Sequence, residues 1–121
     1  MQFPEYRGRR LRKNDHFRRL IRETRLSVDD LVYPLFAVSG RDIKKPIASM
    51  PGHFQLSVDH LVKEARAAFE LGIPAILLFG IPAKKDEQGT GAFAADGIVQ
   101  QAVKKIKHEL PDLLIVTDVC L

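Results

Sequence analysis

Apolar residues fall into three short runs separated by two stretches with helical spacing. The first run, Leu31-Val32-Tyr33-Pro34-Leu35-Phe36-Ala37-Val38, has the length of a strand. Pro34 cannot donate to a ladder, so it is expected at an edge or at the first position of a strand over 34–38. The second run, Ala75-Ile76-Leu77-Leu78-Phe79, does not alternate with polar residues, which predicts a parallel strand covered on both sides. Residues 113–119 form the third candidate strand.

Between the first two runs, Ser57 opens a helix whose hydroxyl is expected to accept from the first-turn amides. Leu61, Ala65, Ala68 and Phe69 share one face of it, Gly72 supplies a C-cap, and Pro74 prevents continuation. A second helix over 96–109 brings Ile98, Ala102 and Ile106 together, with Lys104, Lys105 and Lys107 outward and Pro111 at its end. Strand, helix, strand, helix, strand predicts a right-handed βαβαβ run on a parallel sheet, so the fold class is α/β.

The flanks are less regular. Residues 1–13 contain Pro4 and Gly8 and read as an extended arm. Asp15 is expected to cap a short helix over 16–24 with a narrow stripe of Phe17, Leu20 and Ile21. Ser27, with Asp29 and Asp30, suggests another capped turn. Residues 1–30 therefore form an assembly arm and residues 31–121 a βαβαβ body. Within that body, 39–56 is an irregular excursion with room for a small hairpin.

Charge sharpens the division. Residues 1–25 hold nine Arg or Lys against three acids, a local +6, so the remainder carries −2 of the net +4. A basic head can serve nucleic acid, but few aromatics accompany it and no nucleic-acid module follows. Arg9, Arg10 and Arg12 are either a solvated run or arginines set for bidentate carboxylate contacts between subunits. No apolar stretch is long enough for a membrane span, no apolar secretory segment appears, and the single Cys120 excludes an internal disulfide. These features point to the cytoplasm, with no membrane and no nucleic-acid partner.

Candidate chemistry gathers after the strands. The loop from Gly80 to Ala95, with Lys85, Asp86, Gly89 and Gly91, leaves the carboxyl end of a parallel strand, where active-site flaps sit. It lacks both glycine-rich phosphate fingerprints, so it reads as a mobile flap, an ordinary crossover or a weak anion site. Asp118 ends an apolar strand, where a carboxylate is costly unless it is paired or meets a ligand. Cys120 is either a core thiol or one metal ligand. The four histidines are dispersed and give no metal spacing with it.

These pieces resemble one family. R-R-L-R at 9–12, L-V-Y-P-L-F at 31–36, S-M-P-G at 49–52, L-L-F-G-I-P at 77–82, K-D at 85–86, D-G-I-V-Q at 96–100 and D-V-C-L at 118–121 resemble the N-terminal third of the porphobilinogen synthase (delta-aminolevulinic acid dehydratase) family. The resemblance implies a (β/α)8 TIM barrel behind an arm that embraces a neighbouring subunit, within a homo-octamer. It implies a lyase that condenses two molecules of 5-aminolevulinate to porphobilinogen in tetrapyrrole and heme biosynthesis. By the same resemblance Asp118 matches the active-site aspartate and Cys120 the first cysteine of a zinc pattern, with Mg2+ as a further activator. The Schiff-base lysines are expected beyond Leu121, so the 121 residues alone are expected to be inert. The alternative is a non-catalytic binding or assembly protein built on the same βα units.

Overall fold

The structure is a computed structural model that describes residue 5 and residues 8–119. The body is a five-stranded sheet in the order β2-β3-β1-β4-β5, comprising β1 (Val32–Val38), β2 (Lys44–Pro46), β3 (Phe54–Leu56), β4 (Ala75–Ile81) and β5 (Leu114–Thr117). Only the β2–β3 hairpin is antiparallel; β1 runs parallel to β3 and β4, and β4 parallel to β5. The 39–56 excursion thus becomes a hairpin laid on the free edge of β1.

β1 and β4 pair along their whole length, from Val32 opposite Ala75 to Val38 opposite Ile81. Pro34 lies inside β1 rather than at its start. It is tolerated because β3 pairs only with Phe36 and Ala37, so no strand faces β1 on that side at position 34. The expected edge position is therefore correct locally, although the strand begins earlier.

Helices α2 (Val58–Glu70) and α4 (Ile98–Glu109) lie side by side on one face of the sheet. Their buried stripes, Leu61, Val62, Ala65 and Ala68 on α2 and Ile98, Ala102 and Ile106 on α4, meet Leu35, Ala37, Ile76 and Leu78 from the strands. Phe69, expected on the buried stripe, is 39% exposed instead. It is the next-to-last residue of α2. The opposite sheet face carries Phe36 and Phe79, stacked with centroids 5.1 Å apart, and both are only half-buried. The expectation that β4 is covered on both sides thus holds on the helical face alone among the described residues.

Local chemistry explains the element ends. Gly72 has φ +83°, and its N–H donates to Phe69 O while Ile73 N–H donates to Ala68 O, the paired bonds of a Schellman ending. Ser57 departs from expectation: its buried hydroxyl makes no cap. Instead it accepts from Ile43 N–H at 2.8 Å and donates to Ile43 O at 3.3 Å, pinning the excursion to the start of α2. In the arm, α1 (Asp15–Leu20) is shorter than the expected 16–24 and is capped by Asn14, whose Oδ1 accepts from Phe17 N–H at 3.0 Å. Asp15 sits in the first turn, 3.3 Å from Arg18. The capped turn at Ser27–Asp30 forms as expected, with Ser27 N–H donating to the Asp30 carboxylate at 2.7 Å.

Gly80 governs how closely α4 approaches. A Cβ built there would run into Val99 on the first turn of α4. Gly80→Val should therefore overpack this contact and lower stability by about 1–3 kcal/mol. Leu78→Ala, at a fully buried position, should cost about 2–5 kcal/mol through the cavity it leaves. Urea denaturation followed by circular dichroism measures both, and a loss below 0.5 kcal/mol at both positions would contradict this packing.

Candidate functional site

At the carboxyl ends of β4 and β5 the sheet opens into a cleft of about 260 Å3. Its floor is Gly80 and Thr117, its back wall is the first turn of α4, and its roof is the loop after β4. Asp118, Lys85, Asp86, Gly89 and Gly91 all line it, so residues separated by more than thirty positions in sequence share one space. Asp118 follows β5 directly, and its N–H donates to Leu78 O at 3.1 Å, which extends the ladder by one residue. Its carboxylate is thereby held at the mouth, exposed to solvent.

The roof contains a hydrogen-bonded turn. Asp86 Oδ1 accepts from Thr90 N–H at 2.9 Å and Gly89 N–H donates to Asp86 O at 3.2 Å, closing a turn that starts the short helix α3 (Thr90–Phe93). Gly89 has φ +64°, where a side chain would be strained. The Thr90 N–H and its neighbouring hydroxyl hold the Asp86 carboxyl below its ordinary value of 3.8. Lys84 and Lys85 line the cleft but are exposed, unlike the desolvated amine a Schiff base requires. Lys105 pairs with Glu109 at 2.9 Å and Lys107 donates to Pro111 O and Leu113 O beyond the end of α4, and neither lines the cleft.

Other expected site residues lie apart. Arg10 and Arg12 form a short 3-10 turn preceded by Arg9, all exposed and away from the cleft. Cys120 lies outside the described residues. The sequence reading missed the α4 contribution of Ile98, Val99 and Gln100 to the cleft. The apolar pattern marked Ile98 and Val99 as core, and nothing in it signalled that Gln100 lies under the loop.

A second cluster was also invisible in the sequence. His60 Nε2 lies 2.7 Å from Asp42 Oδ1 and 3.7 Å from Asp59 Oδ2, and the three ligand atoms lie within 4.8 Å of one another. Asp42 follows β1 and Asp59 and His60 open α2, so the cluster faces the same end of the sheet as the cleft but shares no lining residue with it. The Ser57 hydroxyl nearby and the Asp42 N–H, donating at 3.3 Å, hold the Asp59 carboxyl below its ordinary range. Among the described residues it is the one group of three donors near enough for a cation, and its oxygen-rich set suits a hard ion better than zinc.

A family model described as delta-aminolevulinic acid dehydratase matches residues 5–121. The chain belongs to the delta-aminolevulinic acid dehydratase family. Curated relatives of that name include a Synechocystis protein, 55% identical over 119 residues, with 98% of this chain and 36% of the relative covered. A Methanothermus sociabilis protein is 52% identical, with 100% of this chain and 38% of the relative covered. The chain is also similar to the crystal structure of the Toxoplasma gondii enzyme, delta-aminolevulinic acid dehydratase (porphobilinogen synthase), in complex with its product porphobilinogen. That match has a TM-score of 0.82 at 35% identity and covers 96% of this chain and 33% of the other. The chain thus spans about a third of the length of these relatives. Among the described residues of this family member, no helix is long and apolar enough to cross a membrane.

The roof of the cleft carries a pH test. Because the Asp86 pKa is depressed, its contribution is complete above the ordinary value of 3.8 and is lost only as pH falls through the lower folded value. The Thr90 amide proton resonance should stay constant from pH 7 to 4 and shift below that. In Asp86→Ala its downfield position should be absent at every pH. A Thr90 midpoint above the ordinary aspartate value would contradict the turn.

Proposed function

We propose that the chain forms the arm and the first strands of a porphobilinogen synthase, a lyase that condenses two molecules of 5-aminolevulinate to porphobilinogen with loss of water. The supporting observation is the gathering of Asp118 and the Lys85–Asp86 roof into one cleft at the carboxyl ends of two parallel strands. Membership of the family and the product named with the T. gondii relative support the substrate. In this reading the sheet is the opening portion of a (β/α)8 barrel, and the apolar face with Phe36 and Phe79 looks into its interior.

The substrate carries a carboxylate and an amine, and the cleft offers a partner for each. The Lys85 ammonium can meet the carboxylate as a point charge. The Asp118 carboxylate can hold the substrate ammonium or take a proton from it as the carbonyl carbon is attacked. The Schiff bases require desolvated lysines that the described cleft does not supply, so turnover belongs to this chain together with the remainder of a barrel.

A family zinc site does not follow from the described cleft. Asp86 and Asp118 are carboxylates, no three-donor group is formed there, and zinc of the thiolate type needs three or four ligands. Cys120 enters as one zinc ligand on the resemblance alone, and no catalytic step is drawn through a metal, zinc or magnesium. Assembly is proposed to use the arm, whose Phe17, Leu20, Ile21 and Leu26 remain exposed beside Arg9, Arg10 and Arg12. The expected product is a homo-oligomer in the cytoplasm.

The test is a colorimetric porphobilinogen assay on the chain alone and on the chain completed with the remaining two thirds of the Synechocystis relative. The completed protein should form porphobilinogen and the chain alone should not. Asp118→Asn in the completed protein should lower turnover by about 10²-fold or more, the usual worth of a positioned acid–base group. A completed protein without activity would overturn the assignment and favour a non-catalytic assembly protein. Removal of residues 1–30 should reduce the mass of the completed assembly in light scattering, and an unchanged mass would exclude the arm from assembly.

A further inference from the structure

Gln100 holds the third position of α4, where its side chain reaches back under the roof of the cleft. Its Nε2 donates to the Ala92 carbonyl in α3 at 2.7 Å. Its Oε1 is buried and has no hydrogen-bond partner among the described residues, so the amide is oriented by the single bond to Ala92.

The neighbouring glycine shows how tightly this arrangement is fitted. Gly97, buried and at the N-cap of α4, has an ordinary negative φ, so its backbone does not demand glycine. Space does. A Cβ there would run into Gln100 Oε1 and come within 2.8 Å of Gly91 O and 3.1 Å of Ala94 O. Gly97 N–H donates to Ala94 O at 2.9 Å, so the far end of the roof is also tied to the N-cap. Gly91 in turn lies against Pro82, where an added Cβ would sit 3.2 Å from the proline ring. The roof segment that carries Lys85 and Asp86 is therefore seated from both sides, on the β4 exit and on the first turn of α4.

We propose that Gln100 is a positioning residue that docks the roof of the cleft through Ala92, and that Gly97 is glycine because the backbone carbonyls of Gly91 and Ala94, with the Gln100 amide beside them, leave no room for a Cβ. Gln100 does not touch the reacting atoms. It fixes the height of α3, and with it the part of the cleft that the Lys85–Asp86 turn closes. Its significance for 5-aminolevulinate rests on the proposed function, but the docking itself does not.

Amide hydrogen exchange of the 121-residue chain, read by mass spectrometry for peptides covering 83–95, 98–109 and 75–81, tests the docking. Gln100→Glu is the decisive variant. It keeps the side-chain length, cannot donate to Ala92 O when ionised, and places an acid in the first turn of a helix, which favours the helix. The peptide 83–95 should exchange roughly five-fold faster, the worth of one neutral hydrogen bond, while 98–109 and 75–81 are unchanged or slower. Gln100→Ala and Gly97→Ala should loosen 83–95 in the same direction. If Gln100 were only a helix residue, Gln100→Glu would leave 83–95 unchanged or protect it, and either result overturns the proposal. Should Gln100→Ala loosen the whole molecule, Gln100→Glu still decides. Because the readout is exchange rather than turnover, this failure is separate from a failure of the proposed reaction.

Discussion

The seven-residue parallel register of β1 with β4 is the constraint on which the other elements depend. It aligns Leu35 and Ala37 with Leu78 and Gly80, so one side of both strands presents a continuous apolar surface that ends in a glycine. The surface calls for helices to cover it, and the glycine determines how near the second one comes. Because α4 can press its first turn onto Gly80, its N-terminus arrives beside the strand ends, not a side chain's width away. Slippage of β4 by one residue would reverse the face of its side chains and take Gly80 away from α4.

The cleft is consequently a product of chain geometry more than of individual reactive groups. Asp118 is presented by the end of a ladder, and Asp86 is spent on the turn at Thr90. Of the two carboxylates in the lining, then, Asp86 shapes the roof, while the Asp118 side chain makes no hydrogen bond among the described residues. The His60 cluster at the same end of the sheet follows a different logic, since Asp42, Asp59 and His60 already bond among themselves.

The β–α–β order was legible because apolar runs and helical stripes are local patterns, and Gly72 and Pro74 punctuate them without tertiary help. The loop after β4 and Asp118 could be singled out because polar residues at strand ends stand out against Leu, Ile and Val. What escaped was decided by partners distant in sequence. Ser57 looks like a cap in isolation, yet its hydroxyl is claimed by Ile43. Pro34 looks like a strand start, yet the shortness of β3 leaves room for it within β1. Gln100 looks like a polar helix residue, and His60 like a lone histidine, until the fold brings Ala92 and Asp42 to them.

The pairing order of the sheet also bears on how the chain comes to be folded. β1, β4 and β5 are neighbours in space in the order in which they are synthesised, and each new strand arrives with the helix that covers its junction to the one before. The β2–β3 hairpin reaches β1 through Phe36 and Ala37 alone, whereas the seven-residue pairing of β1 with β4 spans the hairpin and the whole of α2. Parallel pairing of this kind closes long loops before its contacts are gained, which makes it slow to form and leaves apolar strands exposed meanwhile. The apolar face around Phe36 and Phe79 then grows as one ordered surface, ready for whatever packs against it.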